Sequence, residues 1–476
     1  MKFPAVVCLL LSTLALEAEV TARPNLILIV TDDLDRNLGT LDFMPNLHRV
    51  LVQQGLTLSD FFVTNSLCCP SRATILRGQY THSHQVLSNQ APFGGFEKFF
   101  QMGHEPSTLA VWLQTAGYRT ILLGKYFNEY PAGASRTHRP PGWSDWASPI
   151  DGEPYKGFNY RMNENGRVVS YGGRDRDYLT DVLARKAADL LRHSGEAPFF
   201  LYLTPYAPHH PATPAPRHER LFTEAQVPRT PSFNEADVND KPAPRSMLSG
   251  SEIEDIDALY RSRLRSMQAV DEMIGNLVRI LEESGRLGNT YVFFTSDNGF
   301  HMGQHRLRPQ KATPYEEDLR VPFIVRGPGV PAGAELAGYL AGNVDIAPTL
   351  LELAEVDTPH VVEGRSLAPL LRGERPAPTS WRQAYLIEQY SDEGLIAPSA
   401  RFARPIFIGV RTLRYKYIEY WTGVREIYDL TLDPHELANF GGSAPPALIT
   451  ELSSLARSLA TCVGAGCRAA EAVTPP

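Results

Sequence analysis

Two acidic pairs and one thiol pair are the residues through which this chain could do chemistry. "IVTDDLD" sets Asp32 and Asp33 directly after an apolar run, and "FFTSDNG" sets Asp297 and Asn298 directly after another. Three carboxylates and an amide brought together would repel one another unless a cation sat among them. An all-oxygen donor set favours a hard ion, Ca2+ or Mg2+, over zinc. Each pair alone also reads as ordinary turn or helix-cap residues, so the metal reading rests on both pairs standing at strand ends. The third feature is "NSLCCPSRATILRGQYTH", where Cys68 and Cys69 precede Pro70, Ser71 and Arg72. Neighbouring cysteines do not readily pair with each other. A helix is predicted from Ser71 onward, and its unpaired N–H groups and positive dipole end would favour an anion beside the thiols.

The elements that must position these residues alternate. Continuous apolar runs at 25–31, 120–125, 199–204, 291–296 and 321–327 read as strands buried on both faces, and 251–285 repeats apolar residues at helical spacing. Such alternation predicts an α/β fold: a large mixed, mostly parallel sheet sandwiched by helices, with ligands gathering beyond the carboxyl ends of its strands. The texture changes after about residue 372, at "GERPAPTS". The remainder, with "QAYLIEQY" and "IFIGVRTLRYKYIEYW", predicts a smaller antiparallel sheet with a terminal helix near 445–460. The expected organisation is a segment 23–372 carrying the chemistry and an α+β subdomain over 373–476.

Composition narrows the class further. The chain has 476 residues, 43% hydrophobic and 21% charged, enough for a large core, and its net charge of −7 offers no basic block for nucleic acid. Residues 1–22 read as a signal peptide, with one lysine, an apolar run too short to span a bilayer and small residues at Ala18 and Ala22. No later stretch is long and apolar enough to span. Export to the extracellular space or a periplasm is expected; the sequence contains no Asn-x-Ser/Thr acceptor to support glycan-dependent lysosomal routing. Of five cysteines, Cys8 falls within the signal segment, and Cys462 and Cys467 flank a Gly-rich turn suited to a disulfide. Cys68 and Cys69 are left to be explained otherwise.

Cys68-Cys69-Pro70-Ser71-Arg72, continued by "SRATILRGQ", resembles the C-x-P-S-R signature of the sulfatase family, in which the first cysteine is oxidised to Cα-formylglycine (3-oxoalanine). Read from Cys69 the pattern fails, because serine and alanine then fall where proline and arginine belong. The resemblance covers residues 24 to about 370, with echoes to the C-terminus. It implies an alkaline phosphatase/sulfatase-like fold and a sulfuric ester hydrolase matured by a formylglycine-generating enzyme. By that similarity Asp32, Asp33, Asp297 and Asn298 hold the cation together with the modified Cys68, and Arg72 orients the formylglycine. Lys125 and Lys311 hold sulfate oxygens, and His209, with Lys311, protonates the departing alcohol oxygen. A hydrated aldehyde beside a divalent cation is a nucleophile that no unmodified side chain offers at neutral pH, and its second hydroxyl lets bound sulfate leave without water attacking sulfur. His301 and His305 are placed for sugar contact, and His305 is taken as a substrate-binding candidate. Many sulfatases have histidine where this chain has Phe127, which leaves open the group assisting the diol. "GKYFNEY", "YLTDVLARKA" and "SDNGFHMGQHRL" resemble the N-acetylglucosamine-6-sulfatase branch, with algal arylsulfatases sharing much of the pattern. The expected substrate is a sulfated saccharide or an aryl sulfate, attacked exo or as a small molecule. The alternatives are a phosphomonoester or phosphonate hydrolase on the same scaffold, or a non-catalytic sulfated-glycan binder should Cys68 stay unconverted.

Overall fold

The computed structural model describes residues 23–390 and 405–474; the expected signal peptide lies outside the described residues. Five parallel strands form the centre of a ten-stranded sheet, in the spatial order Thr290–Ser296, Asn25–Thr31, Phe199–Thr204, Arg119–Gly124 and Asp145–Gly152. Phe323–Arg326 runs antiparallel beside Thr290–Ser296, followed outward by Leu56–Leu58 and Ala334–Leu336. On the other side the antiparallel strands Tyr160–Glu164 and Arg167–Tyr171 close the sheet.

Period-two geometry explains why the central runs are apolar throughout. Along Asn25–Thr31, Leu26, Leu28 and Val30 face one core while Ile27 and Ile29 face another. The first core is completed by helices Cys68–Arg77, Leu109–Thr115 and Ile346–Leu353. The second is completed by Leu179–Arg192 and by Gly250–Glu283, which opens on a Ser249–Glu252 capping box. The helix expected from Ser71 begins instead at Cys68, after an extended Leu67. Pro70 falls in its first turn, where no intrahelical N–H bond is lost, so the proline does not block an earlier start. Cys68 is therefore the first helical residue.

A separate four-stranded antiparallel sheet runs Tyr385–Tyr390, Pro405–Arg411, Tyr415–Tyr420 and Arg425–Asp429, backed by helix Pro446–Leu459. Its apolar residues Leu386, Ile387, Val410 and Tyr417 join the first core rather than forming their own. Cys462 and Cys467 are joined by a disulfide. His82, just past the Cys68–Arg77 helix, ties the two parts together: Nδ1 lies 3.1 Å from Glu388 Oε2 and Nε2 2.9 Å from the Cys462 carbonyl. Both partners are acceptors, so the doubly protonated ring satisfies both. Burial alone would lower the His82 pKa, but the Glu388 carboxylate and that carbonyl push it up to about 9.

Because the folded pKa exceeds the ordinary value of 6.5, this contact stabilises fully below pH 6.5 and is lost as pH rises towards 9. Thermal unfolding is expected at progressively lower temperature across that window, by an amount equivalent to at most about 3 kcal/mol. His82→Gln should flatten the decline.

Candidate active site

Adjacent strand ends are laced together by backbone bonds, and this brings the acidic residues into one place. Thr31 is in register with Ser296, the Asp297 amide donates to the Thr31 carbonyl at 3.1 Å, and the Asp33 amide donates to Asp297 Oδ1 at 3.1 Å. Asp33 takes a left-handed φ of 66°, which turns the chain sharply after the strand. Asp32, Asp33, Asp297 and Asn298 are all buried, with Asn298 Nδ2 donating to Asp33 Oδ1 at 2.8 Å.

The first turn of helix Cys68–Arg77 meets this cluster. Cys68 Sγ lies 3.3 Å from Asp32 Oδ1, and Lys311 Nζ lies 2.8 Å from the same sulfur while also donating to Asp33 Oδ1. Lys125, fixed beyond strand Arg119–Gly124 by its amide on the Thr204 carbonyl, donates from Nζ to Asp32 Oδ2 at 2.7 Å. One turn along the helix from Cys68, Arg72 donates from Nε to Asp297 Oδ2 at 2.8 Å and from Nη1 to the Lys125 carbonyl at 2.9 Å. His209 reaches in from beyond strand Phe199–Thr204, with Nε2 3.6 Å from Asp33 Oδ2; its side chain is 24% exposed and so forms the rim.

Charge is balanced inside this enclosure, three carboxylates against Arg72 and two lysines. Burial alone would raise the Asp32 and Asp33 pKa values, but Lys125 for Asp32 and Lys311 for Asp33, each joined by His209, hold both below the usual carboxylate range. Burial wins at Asp297, which stays raised although Arg72 opposes it. Desolvation would discharge the lysines, yet the carboxylates keep Lys125 and Lys311 above the ordinary amine range and therefore charged. The thiol fares oppositely: burial, reinforced by Asp32, holds Cys68 well above its usual range. A buried, protonated sulfur is a poor nucleophile.

The donors fit a hard cation. Asn298 Oδ1 is buried and has no hydrogen-bond partner among the described residues, which is costly unless an electrophile meets it. Ligand atoms of Asp32, Asp33, Cys68 and His209 lie within 4.8 Å of one another. Arg72 Nη2, also buried and without a hydrogen-bond partner among the described residues, is left to meet an anionic oxygen.

Asp32, Asp33, Cys68, Arg72, Lys125, His209, Asp297, Asn298 and Lys311 thus converge. His305 belongs to a different buried group, hydrogen-bonded to Glu235 and packed against the Tyr315 ring. Phe127 packs into the aromatic core against Phe99, and Cys69 is engaged by Asn128, whose amide donates to its sulfur at 3.2 Å. Two residues not singled out in the sequence line the site. The Tyr155 ring lies 4.5 Å from that of His209 and 5.3 Å from Lys125 Nζ, and Tyr206 lies 5.9 Å from the same ammonium. Tyr155 sits in the connection between strands Asp145–Gly152 and Tyr160–Glu164, where no periodic pattern marks it.

Comparison with known proteins agrees with this geometry. The Sulfatase family model matches residues 24–356, and a model described as N-sulphoglucosamine sulphohydrolase, C-terminal, matches residues 303–459. N-acetylglucosamine-6-sulfatase of Homo sapiens is 34% identical over 482 residues, spanning 94% of this chain and 86% of that protein. An arylsulfatase of Volvox carteri is 34% identical over 510 residues, spanning 97% and 78%. A structure solved in complex with its substrate D-glucosamine-2-N,6-O-disulfate superposes with a TM-score of 0.74 at 26% identity, covering 91% of this chain and 97% of that one. The fold and site are those of a sulfuric ester hydrolase. The chain belongs to the sulfatase family.

Arg72→Gln would leave Asp297 buried without its guanidinium, and in metal-depleted protein the loss is expected to reach about 3–5 kcal/mol in chemical unfolding. Adding Asp297→Asn should recover part of it; a double variant no better than Arg72→Gln would show that the pair is not coupled.

Proposed function

We propose that this enzyme removes the 6-O-sulfate of a glucosamine-type sugar, acting on a chain end or a small saccharide, after a formylglycine-generating enzyme has oxidised Cys68. The observation that carries the reading is the placement of Cys68: first residue of a helix, between Lys311 and Asp32, with its thiol held protonated by burial. Conversion to a hydrated aldehyde, with a hard cation such as Ca2+ on the Asp32, Asp33, Asp297 and Asn298 oxygens to acidify one hydroxyl, would supply the nucleophile that this thiol cannot.

The remaining work belongs to the chain's own side chains. Lys125 and Lys311, both buried and kept charged, grip the sulfate oxygens and stabilise the charge that builds on them as the ester bond breaks. Arg72, held by Asp297 and with Nη2 4.0 Å from Asp32 Oδ1, offers that nitrogen's unused hydrogen-bond capacity to the sulfate bound at residue 68. His209 stands at the rim, where the sugar oxygen departs, and delivers a proton to it. Tyr155 packs against His209 and shields Lys125, so that a sugar ring entering past it meets an apolar face while the sulfate lies on the ammonium groups. The disulfide, and relatives described as extracellular sulfatases, support action in an exported, oxidising compartment.

Two outcomes test this. Cys68→Ala should abolish turnover of glucosamine 6-sulfate and of an aryl sulfate with an unchanged circular dichroism spectrum; retained activity would refute the reading. His209→Ala should lower kcat by roughly 10²–10⁴ on the sugar sulfate, whose alkoxide needs the proton, and much less on a nitrophenyl sulfate, whose leaving group does not. Equal losses on both substrates would remove His209 from the proton-transfer role.

A further inference from the structure

A second buried group stands apart from the active site. His305, Glu317 and Glu436 each offer a ligand atom, and the three atoms lie within 4.8 Å of one another. All three side chains are buried, His305 at 3% exposure. The histidine is already oriented: its Nδ1 lies 2.7 Å from Glu235 Oε2, its backbone amide donates to the Ser232 carbonyl at 2.7 Å, and its ring packs at a tilt 4.1 Å from that of Tyr315. Its other nitrogen, Nε2, is buried without a hydrogen-bond partner among the described residues. A carboxylate holding one ring nitrogen while the other stands free and desolvated is the arrangement that prepares an imidazole for a metal.

The two carboxylates differ in their counter-charge. Glu436 accepts the Glu316 amide through Oε2 at 2.8 Å, and Lys416 Nζ lies 2.6 Å from its Oε1 but is shared with Glu316 Oε1 at 2.9 Å. Arg411 also serves Glu316. No salt bridge reaches Glu317 among the described residues. A group that is short of positive charge, with one open imidazole nitrogen and two acids, asks for a divalent cation.

We infer that His305, Glu317 and Glu436 form a second metal site, distinct from the hard-cation site at Asp32 and Asp33, and that it takes a borderline ion, Zn2+ in preference to Ca2+ or Mg2+. One imidazole with two carboxylates is a nitrogen-containing set that alkaline-earth ions disfavour and zinc accepts, with water completing the coordination. Its position gives it a structural task. His305 and Glu317 bracket the segment that carries Lys311, and Glu436 comes from the C-terminal part of the chain. A metal there would clamp both ends of that segment and lock the C-terminal part against it, fixing the ammonium that lies 2.8 Å from Cys68 Sγ.

The test is elemental analysis of the full-length protein after treatment with ZnCl2 and desalting, together with thermal unfolding against zinc concentration. The expected result is one zinc per chain, a midpoint that rises with zinc, and loss of both in His305→Gln and in Glu436→Gln. Asn298→Ala, which alters only the first site, should keep its zinc. Should a variant fail to fold, anomalous diffraction at the zinc edge from zinc-soaked wild-type crystals decides, with a peak expected between the three side chains. No zinc retained by the wild type, no peak there, or zinc retained equally by folded His305→Gln would overturn the proposal.

Discussion

Burying three carboxylates at the ends of two adjacent parallel strands is the constraint on which this structure turns. The register that pairs Thr31 with Ser296 leaves Asp32, Asp33 and Asp297 no route to solvent, and isolated buried carboxylates are too costly to remain ionised. Arg72 from a helix, Lys125 from a third strand end and Lys311 from a long loop answer them. Each cation is held by a contact that also defines the pocket, so neutralising the acids and building the site are one event. The balanced enclosure is neutral as it stands; a dication among the acids would make it positive, and so receptive to a sulfate monoester.

What the sequence revealed follows from what is local. The strands were legible because a strand buried on both faces is a continuous apolar run, and the acidic pairs were legible because each directly ends one. The start of the Cys68–Arg77 helix was misplaced by three residues, since Pro70 looks like a barrier until it is seen to occupy the first turn. Residues brought in by the fold were not legible. Tyr155 reaches Lys125 from a connection between two strands, His82 gains its partners from Glu388 and Cys462, and nothing in the spacing of His301 and His305 tells which buried group either ring faces. His301 in fact lies 3.0 Å from Asp318 Oδ1. Phe127, where many sulfatases have histidine, completes an aromatic cluster with Phe99 and Tyr126.

The C-terminal segment is bound in by charge as well as by the shared core. Glu471 meets Arg365 and the Tyr80 hydroxyl, Lys416 meets Glu316, and Glu388 meets His82. These contacts are buried on at least one side, so separating the two parts would expose apolar surface and strand ionised groups together. Stability of the loop bearing Lys311 is thereby linked to residues more than a hundred positions away in the chain.

The account stands on the chemical identity of residue 68. Mass spectrometry of the tryptic peptide 50–72 from fully active enzyme tests it most directly. The expected species is an aldehyde or its hydrate at residue 68 beside an intact thiol at Cys69. Full activity in material whose residue 68 still carries its sulfur would contradict it.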